Sequence, residues 1–389
     1  MGTTAFLQGF TVLDLATVGP AARASRILAD YGMNVIKVGR HAAGGAKQIE
    51  PVFHAYGAGR GMQKIRLDLR VEEGKEALYR LAQGADVLIE SYRPGVAERL
   101  GVGYDAIREQ NPQIVYCSTS GYGQDGPWAQ WAGHDINYLA VGGFLACSGQ
   151  DSEGRPAMPG ATVADGAGGG MHAALAIVAG LLNRSRDDVG CYLDVAATDG
   201  VLNLMSLYID QYLATGEETR PGSGVLTGKY AWYGIYKTSD GAALSVGAIE
   251  PHFFRKLCEQ LGLEQFSEHQ YDDEKQDAMR VAFQDKFLTR SRDEWTELLA
   301  AEDTCVAPVL GIAEVADNEH LKSRQSFTRA QHPERGEFDQ LGPVLAGGAR
   351  QQPVHQLSEP GDTDTDTVLR SAGFSEEDVE RLKRSGGVE

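Results

Sequence analysis

The sequence predicts an α/β protein, a parallel sheet covered by helices on both faces, with a smaller α+β domain after it. Short apolar runs alternate with helical stretches through the first half of the chain, the pattern of repeated βαβ units. Near Tyr230 that pattern stops, and two strand-like runs flank Thr238-Ser239-Asp240-Gly241, a hairpin signal. At 389 residues the chain is long enough for two domains and a sizeable core.

Residues 12–15 read as a buried strand. Pro20 opens a helix at a first-turn position, carried by Ala24, Ile27 and Leu28 to Tyr31 and stopped at Gly32. Residues 34–38 are the next strand, and 41–61, rich in Gly and Ala without a period, read as a loop over a ligand. Strand 65–69, helix 72–83 and strand 86–90 form a second unit. A short helix from Pro94 to near Leu100 precedes strand 113–117. A glycine-opened helix over 166–184, a strand over 191–195 and one long helix over 198–215 complete this part. Residues 216–229 read as a linker. After the hairpin, helices are expected near 251–262 and 273–301, then an extended stretch over 330–365. Helices over 367–373 and 375–384 end the chain, the second capped by Ser375.

The formal net charge of -18 argues against a general nucleic-acid binder. A phosphorylated ligand stays open, since it needs only a local basic patch. No run of 18 apolar residues is present, so no membrane span is expected. Residues 1–7 lack a secretory pattern and 386–389 a peroxisomal one, so a cytoplasmic location is expected. The five cysteines are widely spaced in apolar surroundings and read as buried thiols. No His/Cys cluster has metal-ligand spacing. Gly57-Ala58-Gly59-Arg60-Gly61-Met62 lacks the last glycine and the context of a dinucleotide fingerprint. Neither a metal nor a separate cofactor is expected.

Three acid/base residues stand in glycine-rich or helix-start settings. His134 is either surface filler or an imidazole with a pKa near neutrality. Asp165, before Gly166, Gly168 and Gly169, is either a helix cap or a base beside bare N–H groups that bind an oxyanion. Glu250, before Pro251, either complements a helix dipole or fixes the imidazole's tautomer. One base on each face of a planar enolate gives 1,1-proton transfer.

The order of signatures resembles CoA-transferase family III, the CaiB/BaiF superfamily, over essentially the whole chain: TVLDL, ILADYGMNVIKV, LIESYRPGVAERLGVGYDAI, STSGYGQDGPW and VLRSAGFSEEDVERL. GHDINYL, ADGAGGG and VGAIEPHF resemble its α-methylacyl-CoA racemase branch. That resemblance implies a Rossmann-like large domain in an interlocked homodimer and a 2-methylacyl-CoA substrate. It makes His134, with Glu250 beside it across the subunit interface, one acid/base group and Asp165 the other. Arg40 matches the arginine that holds the CoA nucleotide, with Arg60 and Arg93 as further candidates. Gly133, Asp135, Ile136, Asn137 and Tyr138 would line the thioester and pantetheine, with Gly166 at the oxyanion. The family's acidic residue before its arginine is Gly39 here, and its basic run is Arg60-Gly61-Met62-Gln63.

The expected organisation is a large domain over 1–200, a linker helix and loop over 201–225, a small domain over 226–325, and a return into the large domain over 326–389. Three functions follow in order: racemisation of 2-methylacyl-CoA, CoA transfer between acids through an Asp165 anhydride, and non-catalytic acyl-CoA binding.

Overall fold

The computed structural model describes residues 5–16, 19–40, 51–343, 354–358 and 362–389. The chain divides into two compact units. The first comprises Met1–Gly143, Pro159–Met205 and Glu319–Glu389, the second Phe144–Met158 and Ser206–Asn318.

The first unit is built on six parallel strands: β1 (Thr11–Asp14), β2 (Asn34–Arg40), β3 (Gln63–Leu67), β4 (Val87–Glu90), β5 (Val115–Ser120) and β6 (Cys191–Ala196). Their order, β3-β2-β1-β4-β5-β6, is that of a Rossmann sheet. The central strands β1 and β4 are largely buried because both sheet faces are covered, whereas the edge strand β3 alternates polar and apolar positions. Successive side chains point to opposite faces. Leu13 and Leu88 join a core with Leu78, Val368 and Leu382, while Val12, Val87 and Ile89 join another with Ala24, Leu28 and Ile177.

The helices in this unit are α1 (Gly19–Asp30), α2 (Val52–Ala58), α3 (Glu72–Gln83), α4 (Val96–Arg99), α5 (Tyr104–Gln110) and α6 (Asp135–Val141). The short α7 (Phe144–Cys147) belongs to the second unit. Of the expected loop 41–61, residues 52–58 are helical and 41–50 lie outside the described residues. The expected helix over 166–184 is a π-helical segment, Ala164–Met171, continued as α8 (His172–Asp187). Together they form a 24-residue stretch long and apolar enough to cross a membrane by length and composition alone. Its buried Ala173, Ala174, Ile177 and Leu181 pack on the sheet instead, as the core helix of a folded domain does.

The expected helix over 198–215 is two helices, α9 (Ala197–Leu204) and α10 (Ser206–Thr215). Met205 breaks them, its N–H turning back to the carbonyls of Val201 and Leu202. The break falls at the boundary between the units.

In the second unit β7 (Tyr233–Lys237) and β8 (Ala243–Gly247) form the expected hairpin, and β9 (Val306–Pro308) pairs with β8. Gly241 takes φ 79°, and Thr238 Oγ1 donates to Asp240 Oδ1 at 2.5 Å. Helix α11 (Pro251–Leu261) follows. The expected helix over 273–301 is split into α12 (Gln276–Phe287) and α13 (Arg292–Leu299). Ser291 makes the split by capping α13, its N–H bound to the Glu294 carboxylate at 2.8 Å. Trp232, Phe254, Phe283, Phe287 and Trp295 form this unit's core.

The chain returns to the first unit, where β10 (Phe327–His332) and β11 (Gly336–Leu341) form an antiparallel hairpin in the stretch expected to be merely extended. Helices Thr365–Ser371 and Glu376–Arg384 cover one sheet face, the second capped by Ser375 as expected. All five cysteines are free. Only Cys117 and Cys258 are buried; Cys147 and Cys191 are partly buried and Cys305 is exposed, which corrects the expectation of five buried thiols.

Candidate active site

The loop after β5 is built around Tyr138. A Cβ on Gly121 or Gly133 would meet the Tyr138 ring at 2.2 or 2.7 Å, so only glycine lets the ring lie there. The Tyr138 hydroxyl donates to the Gly133 carbonyl at 2.6 Å. Burial pushes its pKa up to about 12, so it stays a neutral donor. The His134 N–H donates to Asn137 Oδ1 at 3.0 Å, which makes His134 the cap of α6. The backbone of His134 is thereby held while its side chain stays exposed and makes no cap bond. The Tyr138 hydroxyl and the Asn137 side-chain oxygen are both used within the loop, while the Asn137 side chain stays exposed. Ile136 is exposed beside them.

Asp165 lies in the π-helical segment. A Cβ on Gly169 would meet Pro20 at 2.5 Å, on Gly170 the Arg23 side chain at 2.4 Å, and on Gly168 the Ala197 carbonyl at 2.9 Å. The glycine run therefore presses this segment onto the starts of α1 and α9. Those helices follow β1 and β6, and Thr198 ties to the Gly121 carbonyl after β5 at 3.0 Å. The site thus sits beyond the carboxyl ends of the strands, where open α/β sheets bind ligands.

Two N–H groups expected to be bare are in use. Asp165 N–H donates to the Asp135 carboxylate at 2.8 Å, and Gly166 N–H to the Thr162 carbonyl at 3.0 Å. This corrects the expected oxyanion site at Gly166. A Cβ there would meet nothing within 4 Å, so Gly166 borders open space. Burial raises the pKa of the half-buried Asp165 carboxyl; the Asp135 charge adds to the rise, and Arg23 and His134 oppose it. A carboxylate raised in this way is a stronger base.

Arg40 and Arg93 stand at the carboxyl ends of β2 and β4, flanking β1 where the strand order reverses. Both are exposed and, among the described residues, in no ion pair. Arg60 differs. It is 6% exposed, donates to both Asp30 oxygens at 2.9 and 3.1 Å and to the Leu341 carbonyl at 2.8 Å. It ties α1, α2 and β11 together, which corrects its expected role as a CoA ligand. Glu250 is in the second unit, as the exposed residue that precedes α11. Its side chain does not cap that helix.

Sequence reasoning missed Arg23 and His54. The Arg23 guanidinium lies 3.0 Å from His54 Nε2 and donates to Thr162 Oγ1 at 3.4 Å. Both line a cavity of about 970 Å³ that also reaches Asp165 and Gly166. The spacing of Pro20, Arg23 and Ile27 puts them on one stripe of α1, and the glycine run calls for a close neighbour. That combination was the available signal. Among the described residues, no three His, Cys, Asp or Glu side chains gather as metal ligands.

The model of CoA-transferase family III matches residues 7–364. Alpha-methylacyl-CoA racemase of Homo sapiens is 34% identical over 385 residues, covering 98% of this chain and 97% of that one. Formyl-CoA:oxalate CoA-transferase of Streptomyces avermitilis is 29% identical, covering 99% of this chain and 100% of that one. A crystal structure of a CaiB/BaiF family protein from Brucella suis superposes with a TM-score of 0.72 at 26% identity, covering 84% of this chain and 89% of that one.

Proposed function

The chain belongs to CoA-transferase family III, and on that premise we propose that it interconverts the R and S forms of 2-methylacyl-CoA thioesters by 1,1-proton transfer. The observation that carries this reading is the pairing of His134 with Asp165. An imidazole and a carboxylate stand at two neighbouring helical starts, joined through the Asp135 carboxylate and the Asp165 N–H. His134 is close enough for its charge to act on the Asp165 carboxyl. The similarity to the human racemase supports the same choice.

In this mechanism one group takes the C2 proton and leaves an enolate of the thioester. The other group returns a proton to the opposite face. Run in reverse, each group performs the other's step, so both epimers are substrates. The raised Asp165 carboxyl is a stronger base than an ordinary carboxylate, which suits it to take the C2 proton from a thioester. Glu250 is proposed as the carboxylate that fixes the His134 tautomer, supplied by the other subunit of a homodimer. The exposed Met171, Leu175 and Leu182 on one side of the long helix support a subunit contact. Arg40 and Arg93 are proposed to hold the CoA phosphates at the strand-order reversal, and no separate cofactor is proposed. A cytoplasmic location remains part of the proposal.

A second reading is CoA transfer between carboxylic acids, with Asp165 as nucleophile. The full-length similarity to a formyl-CoA:oxalate CoA-transferase favours it. One experiment separates the two. The protein is incubated in D2O with a panel of 2-methylacyl-CoA esters, and separately with two acids and one CoA ester. Deuterium at C2 without acid exchange supports racemisation; acid exchange without C2 deuteration supports transfer.

A further inference from the structure

The cavity beside Asp165 has about 970 Å³, the upper end of the range for small-molecule sites. Its walls are largely apolar, with Ala22 and Ile27 from α1, Phe53 from α2, Met171, and Phe338 from β11. Three arginines line it. Arg26 and Arg60 share the one Asp30 carboxylate, which holds both guanidiniums and offsets one of their two charges. Arg23 is different. Among the described residues its hydrogen bonds go to two neutral acceptors, His54 Nε2 and Thr162 Oγ1. No carboxylate forms an ion pair with it among those residues.

Arginine only donates, so His54 Nε2 must accept here, which makes this imidazole neutral with its proton on Nδ1. The Arg23 stem is pressed against Gly170, where a Cβ would meet it at 2.4 Å. The guanidinium is thus anchored to the segment that carries Asp165, with donors left over. A cation whose hydrogen bonds go to neutral partners, aimed by a neutral imidazole in a largely apolar cavity that also holds Asp165, has donors to offer an anionic oxygen on the ligand.

Resting on the racemase reading, we propose that this cavity receives the acyl chain and that Arg23, oriented by His54, binds a carboxylate at the far end of that chain. The substrate class is then the mono-CoA thioester of a 2-methyl dicarboxylic acid. Asp165 works at C2, and Arg23 selects the chain.

The test compares two esters of equal chain length, a 2-methylglutaryl-type CoA ester with a free carboxylate and its 2-methylalkanoyl counterpart. Dissociation constants are read by titration calorimetry, which does not depend on turnover. The parent should bind the carboxylate ester roughly 10- to 100-fold more tightly, the worth of one charge-assisted bond. Arg23→Gln should collapse that ratio toward one, and Arg23→Lys should restore part of it. A parent ratio near one overturns the proposal. So does an Arg23→Gln effect that weakens both esters equally, because Arg23 would then act on the CoA moiety or on Asp165. C2 deuteration of both esters is measured alongside. Its absence with both esters sinks the racemase reading, whereas its presence without a carboxylate preference sinks only the dicarboxylate proposal.

Discussion

The Asp135 carboxylate accepts the backbone N–H of Asp165 at 2.8 Å, across 30 residues of sequence. It fixes the turn after His134 against the segment that carries Asp165. It also places a negative charge where it raises the Asp165 pKa.

That double role predicts a split between two variants. Asp135→Asn keeps an acceptor oxygen but removes the charge, so the Asp165 pKa falls. Since Asp165 must be ionised to act as base, the acid limb of the pH profile should move to lower pH. Asp135→Ala loses the tie as well and should cost about 10- to 100-fold in kcat/KM, the worth of a bond to a charged group. Profiles of C2 exchange against pH check both, and an unmoved limb in Asp135→Asn contradicts the electrostatic role.

The glycines predict opposite outcomes at two positions. A Cβ on Gly200 would lie 1.7 Å from the Gly168 carbonyl oxygen, so Gly200→Ala must push α9 away from the π-helical segment. A loss of about 1–3 kcal/mol or more is expected. Gly166→Ala meets nothing within 4 Å and should leave stability equal or raised by up to about 1 kcal/mol. Denaturant unfolding of both variants decides.

Glu90 makes stability depend on pH. It is 3% exposed at the end of β4, bonded to the Tyr92 N–H at 2.6 Å and to Ser118 Oγ. Burial raises its pKa to about 8. In the unfolded chain it ionises near its ordinary value, about 4.3. Between those values the folded protein holds a proton that the unfolded chain has released. Stability therefore falls as pH rises through that window and levels off above about 8. The slope from one such group is at most about 1.4 kcal/mol per pH unit. Glu90→Gln should flatten that part of the stability profile, and parallel profiles from pH 5 to 8 would count against it.

A homodimer is expected by light scattering for the active species. The exposed Leu175 and Leu182 predict that Leu175→Glu with Leu182→Glu shifts the protein toward monomer and lowers activity. A fully active, monodisperse monomer of the parent contradicts the subunit arrangement.

Much of the large domain was legible in the sequence because its strands carry short apolar runs or alternating apolar positions bounded by turn residues, a local signal. The Asp240-Gly241 hairpin and the Ser375 cap were local too. What was not legible depends on contacts far along the chain. Arg60 resembles a CoA ligand in its motif, but Asp30 and the Leu341 carbonyl, 281 residues away, claim its guanidinium. The Asp165 N–H looks bare until Asp135, 30 residues away, is brought beside it. The helix break at Ser291 has a local signal, the capping box Ser291-Arg292-Asp293-Glu294, although the apolar period runs across it. Arg23 stands out only when the Pro20, Arg23 and Ile27 stripe of α1 is joined to the glycine run that packs against it.

The central claim is that His134 and Asp165 serve opposite faces of one enolate, and the most direct measurement is stereospecific C2 deuteration by single-base variants. The separated R and S 2-methylacyl-CoA esters are each incubated in D2O with His134→Ala and with Asp165→Ala. The account predicts that each variant loses racemisation by about 10²–10⁴-fold. Each should still exchange deuterium into one epimer, and the two variants should favour opposite epimers. Racemisation at the parent rate in both variants, or the same epimer preference in both, would contradict it.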